Sequence, residues 1–222
     1  MGKIFYYAKS ALFISIMYSF TALYFVVGLP LLFSESFTYK YMRSWCKIMI
    51  AIVRFFGVKS EIVGKVPSGS AIICSNHQSY YEIILLFAAL DRPVFVLKAS
   101  ILKIPIYNLY CKVMGMIPVD RSRFNKDWQD LAKKQLEKGK QVIMFPEGTR
   151  VPIGRTVSYK PGAFKLAKDM NMQIYPASTN AGEIWSGPGF LKKTGKVYVK
   201  FHDPIDPDPI LLRDAINSVV KI

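Results

Sequence analysis

A chain of 222 residues, 51% of them hydrophobic, is long enough to bury one sizeable core and too apolar to be a disordered segment. Thirty Lys and Arg against fifteen Asp and Glu give a formal charge of +15, which points to anionic partners: nucleic acid, lipid headgroups, or acidic substrates and carriers. Cys46, Cys74 and Cys111 are scattered and each lies in an apolar run, which argues against a disulfide framework, and two histidines without a Cys-x-x-Cys leave little from which to build a metal site.

From Ala11 to Phe33 there is no charged residue. As a helix this stretch would be roughly 34 Å long, enough to cross a hydrocarbon core of about 30 Å. A cleavable leader has a shorter apolar region and a small-residue cleavage site, which Gly28-Leu29-Pro30-Leu31-Leu32 does not resemble. Lys3 and Lys9 precede the stretch and Lys40, Arg43 and Lys47 follow it, so the basic bias does not orient it, and spanning the bilayer or lying in one leaflet stay open as alternatives. Over 38–56, Lys40, Arg43, Lys47 and Arg54 recur on one helical face, with Met42, Trp45, Met49, Ile52, Val53 and Phe56 filling much of the rest. The pattern predicts an interfacial amphipathic helix with its basic face toward anionic headgroups and its Trp and Phe toward acyl chains. The alternative is a surface helix packed on the protein core. Residues 1–57 are therefore expected to form a membrane-associating segment and 58–222 an α/β domain.

After Gly57 short apolar runs alternate with helical patterns. Strands are expected at Glu61–Val63, Ala71–Ser75, Val94–Leu97, Met116–Val119, Gln141–Phe145, Gln173–Ala177 and Lys196–Phe201. Helices are expected at Tyr80–Leu90, Pro105–Met114, Lys126–Lys138, Gly162–Met170 and Pro209–Val220. Ile- and Val-rich strands alternating with helices predict an α/β fold, a mixed, mostly parallel sheet flanked by helices.

In such a sheet chemistry gathers beyond the carboxyl ends of the strands. His77 follows one predicted strand by two residues and Glu147 follows another by two. On a regular helix residues five apart face different ways, so His77 and Glu82 meet only if the helix begins between them, with Ser79 a plausible N-cap. Ser79-x-x-Glu82 is also a capping-box sequence, in which the Glu only bonds the cap's backbone, and a lone histidine can be a satisfied core residue. The chemical reading is that a carboxylate holds the imidazole in the tautomer whose free nitrogen takes a proton from a hydroxyl. Ser75 and Ser79 raise the option of a nucleophilic serine, but no Gly-x-Ser-x-Gly elbow exists in the chain. Phe145-Pro146-Glu147-Gly148-Thr149-Arg150 adds a guanidinium suited to bidentate anion recognition and a glycine that lets backbone approach an anion.

Asn76-His77-x4-Glu82, then Gly115-Met116-Ile117-Pro118-Val119-Asp120-Arg121, then Phe145-Pro146-Glu147-Gly148-Thr149-Arg150, then Tyr175-Pro176-Ala177 resemble, in order, the four motif blocks of the glycerolipid acyltransferases. Within that family the chain looks most like the bacterial 1-acyl-glycerol-3-phosphate acyltransferases, over about residues 58 to 205. It departs in carrying Glu82 where the family's first block usually ends in Asp, which changes reach without changing charge. The resemblance implies that His77 acts as general base on the free hydroxyl of a lysophospholipid, with Glu82 holding it. It implies that Arg121, Arg150 and Lys98 hold the acceptor's phosphate, that Glu147, Gly148 and Thr149 complete that pocket, and that Pro176 shapes its wall. No cofactor or metal is implied. The acyl thioester, acyl-coenzyme A or acyl-acyl-carrier-protein, is a co-substrate, and its oxyanion would be met by backbone N–H groups. The implied location is the inner (cytoplasmic) membrane, with the site at the cytosolic face.

Arg150, Arg155 and Lys160 lie in a Pro- and Gly-containing loop that reads either as a solvated linker or as a flap over the pocket. Lys133, Lys134, Lys138 and Lys140 read as a solvated face, with an acidic acyl carrier as a candidate partner. Two other classes compete. A non-catalytic lipid-binding protein accounts for the charge and the apolar helices but not for His77 with Glu82. A nucleic-acid-binding protein rests on charge alone and lacks a recognition module, so no nucleic acid is expected as a partner. Among enzymes, the rival is an acyltransferase acting on another lyso-lipid, such as a lyso-aminolipid. Acyl-chain length, donor and oligomeric state are not legible.

Overall fold

In the computed structural model, which describes residues 2–120, 127–185 and 194–218, the Ile- and Val-rich runs pair into one seven-stranded sheet. Its strands are β1 Val58–Val63, β2 Ala71–Ser75, β3 Pro93–Lys98, β4 Ile117–Val119, β5 Gln141–Met144, β6 Ile174–Thr179 and β7 Gly195–Phe201, in the order β1-β7-β6-β2-β5-β3-β4. All neighbours are parallel except β6 and β7. The helices are α1 Gly2–Val27, α2 Glu35–Phe55, α3 Tyr81–Ala89, α4 Pro105–Met114, α5 Asp127–Glu137, α6 Gly162–Asp169, α7 Ala181–Ile184 and α8 Pro209–Asn217, with 3-10 turns at Leu29–Phe33 and Ala99–Lys103. The fold class is the expected one. Short α7 and both 3-10 turns are additions that no apolar periodicity marks.

Central strands β2 and β5 are buried at every position, as strands covered on both faces must be. Alternate side chains sort into two apolar clusters. Ile73, Ile143, Ala177 and Val199 join a cluster with α1, α2, α3 and α4, whereas Ile72, Cys74, Val142, Met144 and Ile174 join one with α5, α6 and α8.

The first of these clusters revises the reading of residues 38–56. Met42, Cys46, Met49 and Val53, spaced three and four apart, are the buried face of α2, and they pack into the core shared with α3 and β1. That face is a core face, not an acyl-chain face, because α3 and β1 present an apolar surface that water would otherwise cover. Nor does Arg43 face headgroups: its guanidinium donates to the carbonyls of Leu90 (2.7 Å) and Asp91. The outward side of α2 still carries exposed Phe37, Ile48 and Phe55 beside Lys40, Lys47 and Arg54. In α1, the stretch Tyr7–Val27 is long and apolar enough to cross a membrane, and only 17% of its most apolar window is buried against the rest of the chain.

Lys140 also departs from expectation. It is 2% exposed, lies 2.9 Å from Glu35 Oε1, and donates to the Met114 carbonyl at 3.0 Å. Glu35 is shared with Arg92, also at 2.9 Å. The residue enters β5 beneath the start of α2, where a carboxylate and a carbonyl supply the partners a buried cation requires. Lys140→Ala is expected to lower unfolding stability by about 2–3 kcal/mol, because a charge-assisted bond is lost and the Met114 carbonyl is left unmatched; denaturant midpoints in detergent check it.

Candidate active site

The chain leaves β2 through α3 toward β3 and leaves adjacent β5 through α6 toward β6, on the opposite side. Departures in opposite directions open a crevice between the carboxyl ends of the two strands, the usual ligand position in open α/β sheets. The turn after β2 brings His77 there, and the turn after β5 brings Glu147.

One oxygen organises the first turn. Glu82 Oε1 accepts from the Gln78 N–H (2.9 Å), the Ser79 N–H (2.8 Å) and His77 Nδ1 (2.8 Å). A backbone N–H only donates and a carboxylate oxygen accepts, so this oxygen is an acceptor to all three, and Nδ1 carries a hydrogen. In the neutral ring Nε2 then keeps its lone pair. The two readings of Glu82 are therefore both true: the same oxygen caps the turn and holds the imidazole. Glu82 is fully buried, and its Oε2 has no hydrogen-bond partner among the described residues. Ser75 and Ser79 are fully buried as well. Ser75 donates to the Asn76 carbonyl and Ser79 Oγ accepts from the Tyr81 N–H, so neither is presented as a nucleophile.

The imidazole, 16% exposed, stacks on Phe145 with centroids 4.1 Å apart. Its own backbone is clamped on both sides: the His77 N–H donates to Glu147 Oε2 at 2.8 Å, and the His77 carbonyl accepts from the Val151 N–H at 2.7 Å. Burial pushes the Glu147 carboxyl up to about 7; the nearby Glu82 charge adds to the rise, while the His77 amide and Arg213 oppose it. Asn76 stands between β2 and His77. Its side chain bonds the Thr179 carbonyl and N–H reciprocally, both at 2.9 Å, tying the end of β2 to the end of β6. An amide side chain directly after a predicted strand is the sequence signal for it.

Beside His77 lies a cleft of about 610 Å³, walled by apolar side chains including Ile83, Phe95, Leu97, Tyr107, Val119 and Met144, with Lys98, Lys160 and Lys165 as its cations. Of the residues expected to bind substrate, Lys98 and Gly148 line this cleft. Gly148 has φ +70°, a conformation that favours glycine. Thr149 is exposed in the same turn. The Arg150 guanidinium sits over the Tyr80 ring, 4.0 Å from its centroid, and forms no ion pair among the described residues. Glu147 faces the His77 amide and not the cleft. Pro176 is buried in β6 outside the cleft lining: its carbonyl accepts from His202 N–H, and its missing N–H falls between the β6–β7 ladder and the Ile174–Ile205 bridge, where the ladder is already interrupted. Arg121 lies outside the described residues, directly after cleft-lining Asp120. In the loop after Arg150, Lys160 lines the cleft and its N–H donates to the Pro146 carbonyl, while Arg213 of α8 donates to the Val157 carbonyl at 2.9 Å.

A histidine held by a carboxylate at the crevice between two parallel strands, opening on an apolar cleft lined by lysines, places this chain among α/β proteins whose site offers a proton acceptor beside an apolar cavity. The comparisons with known proteins narrow that class. The family model "Acyltransferase" matches residues 58–180, and the chain belongs to that family. It is 31% identical over 164 residues to the 1-acyl-sn-glycerol-3-phosphate acyltransferase of Pseudomonas aeruginosa (71% of this chain, 64% of that protein). It is 31% identical over 180 residues to a chloroplastic 1-acyl-sn-glycerol-3-phosphate acyltransferase of Arabidopsis thaliana (78% and 51%). The chain thus spans between about half and under two thirds of the length of these two relatives. The crystal structure of the 1-acyl-sn-glycerophosphate (LPA) acyltransferase, PlsC, from Thermotoga maritima shares the fold, with a TM-score of 0.79 over 100% of this chain and 95% of that one at 24% identity.

Proposed function

We propose that this protein transfers an acyl chain from a thioester to the free sn-2 hydroxyl of 1-acyl-glycerol-3-phosphate, giving phosphatidic acid for phospholipid biosynthesis. The observation that carries the reading is the 2.8 Å contact between His77 Nδ1 and Glu82 Oε1, which leaves Nε2 as the proton acceptor beside an apolar cleft. Nε2 takes the hydroxyl proton as the oxygen attacks the thioester carbonyl. The tetrahedral oxyanion collapses with loss of the carbon–sulfur bond, and the departing sulfur takes the proton back from His77 Nε2, leaving as the thiol and restoring the neutral imidazole. Glu82 stabilises the imidazolium formed between these steps. The amides of 77, 78, 79 and 148 are all occupied within the turns. The oxyanion is then met by donors other than these four amides, and Lys98, Lys160 and Lys165 of the cleft are candidates beside the remaining backbone N–H groups of the two turns.

In this reading Arg150, Lys98 and Arg121 hold the acceptor phosphate, α1 and the outward side of α2 seat the protein on an anionic inner-membrane leaflet with the site at the cytosolic face, and no cofactor takes part. The donor is acyl-coenzyme A or acyl-acyl-carrier-protein. The test is acyl transfer by detergent-solubilised protein, with lysophosphatidic acid and lyso-aminolipids as acceptors and both donors. Turnover confined to a lyso-aminolipid would replace the acceptor assignment, and thioester left unconsumed with every acceptor would leave a lipid-binding protein. Arg150→Ala is expected to raise KM for lysophosphatidic acid roughly tenfold or more with little change in kcat, since about 1.5–3 kcal/mol of charge-assisted bonding is lost. An equal loss with a phosphate-free acceptor would separate Arg150 from the phosphate.

A further inference from the structure

The rim of the cleft carries an apolar patch that no described residue covers. The 3-10 turn Ala99–Lys103 and the start of α4 expose Ile101 (37%), Ile104 (57%) and Leu109 (44%). Ile101 and neighbouring Lys98 line the cleft. Lys98, Lys103 and Lys112 are exposed around the patch, and none forms an ion pair among the described residues. No acidic residue occurs from 92 to 119. Apolar tips within a ring of unneutralised lysines match a surface of acyl chains beneath anionic headgroups.

The patch also continues a second apolar surface. Tyr110 on α4 donates to the Phe25 carbonyl of α1 at 2.8 Å, and the Tyr107 ring stacks on Phe25. The end of α1 held there exposes Leu23, Val26 and Val27, and the following 3-10 turn exposes Phe33 (79%).

We propose that residues 99–109 form a further bilayer-contact element: Ile101, Ile104 and Leu109 enter an anionic leaflet while Lys103 and Lys112 meet its phosphates, which seats the mouth of the cleft, with Lys98 inside it, on the lipid surface. This rests on the membrane placement proposed for α1. Cys46, Cys74 and Cys111 are buried, and burial pushes the Cys111 thiol up to about 11, so a cysteine introduced at the surface is labelled selectively.

The test places an environment-sensitive fluorophore on Ile104→Cys, on Phe33→Cys, and on Leu131→Cys of α5 as the distant reference, in protein reconstituted with phosphatidylglycerol or phosphatidylcholine vesicles. The expected result is a blue shift and loss of iodide quenching at 104 and 33 but not at 131, stronger at 104 with phosphatidylglycerol. Protection at 33 with 104 still quenched overturns the proposal and leaves the membrane placement of α1 intact. Quenching at both sites removes both. Protection at 104 that is indifferent to headgroup charge overturns the role of the lysines. In a kinetic arm, Ile104→Glu with Leu109→Glu should raise KM roughly tenfold for acceptor presented in vesicles, with turnover of a dissolved short-chain acceptor unchanged. Equal loss with both acceptors counts against the proposal.

Discussion

His77→Ala is expected to lower kcat for acyl transfer by about 10³-fold or more, with vesicle binding unchanged, because general-base assistance is worth roughly 10²–10⁴ and no other group stands in for Nε2. Glu82→Gln should cost far less, roughly ten- to a hundredfold. Where a carboxylate holding a histidine is replaced by an amide, the severe loss comes from the amide nitrogen facing the ring and fixing the wrong tautomer. Here the Gln78 and Ser79 N–H groups, 2.9 and 2.8 Å from Oε1, demand an oxygen at that position, so the amide turns its nitrogen to the place of Oε2. His77 Nδ1 still meets an acceptor and keeps its hydrogen. The cost shifts to stability, since the site of Oε2 offers no hydrogen-bond partner among the described residues, and a buried unsatisfied donor costs about 1–3 kcal/mol. Parallel kcat and denaturation measurements separate the two effects. A Glu82→Gln loss as deep as that of His77→Ala would mean that the two N–H groups do not dictate the orientation of the amide.

The parts of this fold legible in the sequence are those set by local periodicity and by strand ends. Helix Pro105–Met114 and strand Ala71–Ser75 fall where they were expected, because Pro105 can open a helix, Gly115 in the left-handed region closes it, and a five-residue run with two isoleucines, too short for a helix and bounded by Gly69 on one side, suits an inner strand. The dyad was legible for the same reason: a helix start between His77 and Glu82 is a local event. What required three dimensions was which surface a face meets. On α2 the same spacing of Met42, Met49 and Val53 serves a core or a bilayer equally, and only the arrival of α3 decided it. Lys140 reads as one of a run of surface lysines until Glu35, far away in sequence, is folded onto it. Glu147 is the sharpest case. Its position in a motif with Arg150 suggested a substrate ligand, yet its partner is the main chain of His77, which no side-chain pattern encodes.

Glu147 is therefore expected to act as a positioning residue, and its substitutions should separate hydrogen bonding from charge. Glu147→Ala removes the acceptor 2.8 Å from the His77 N–H, frees the catalytic turn, and should lower kcat roughly a hundredfold, the scale set by small misplacements of a reacting group. Glu147→Gln keeps a carbonyl oxygen for that amide and should retain most of kcat. The contribution of Glu147 itself to stability should respond to pH in the opposite sense to that of an ordinary surface carboxylate. Burial, reinforced by the charge of Glu82, raises the folded carboxyl from 4.5 to about 7 against the pull of the His77 amide and Arg213. Between those values the folded protein holds a proton that the unfolded chain has released. The contribution of Glu147 is then fully present below about pH 4.5 and is lost as pH rises through about 7. Glu147→Gln lacks this loss, so its stability relative to the parent should climb across that interval and level off above it. Thermal midpoints at pH 5 and pH 8 read the difference directly. A constant offset between the two proteins across this range would mean that Glu147 is ionised throughout, and a kcat for Glu147→Gln as low as that for Glu147→Ala would show that its charge, not its acceptor oxygen, holds His77 in place.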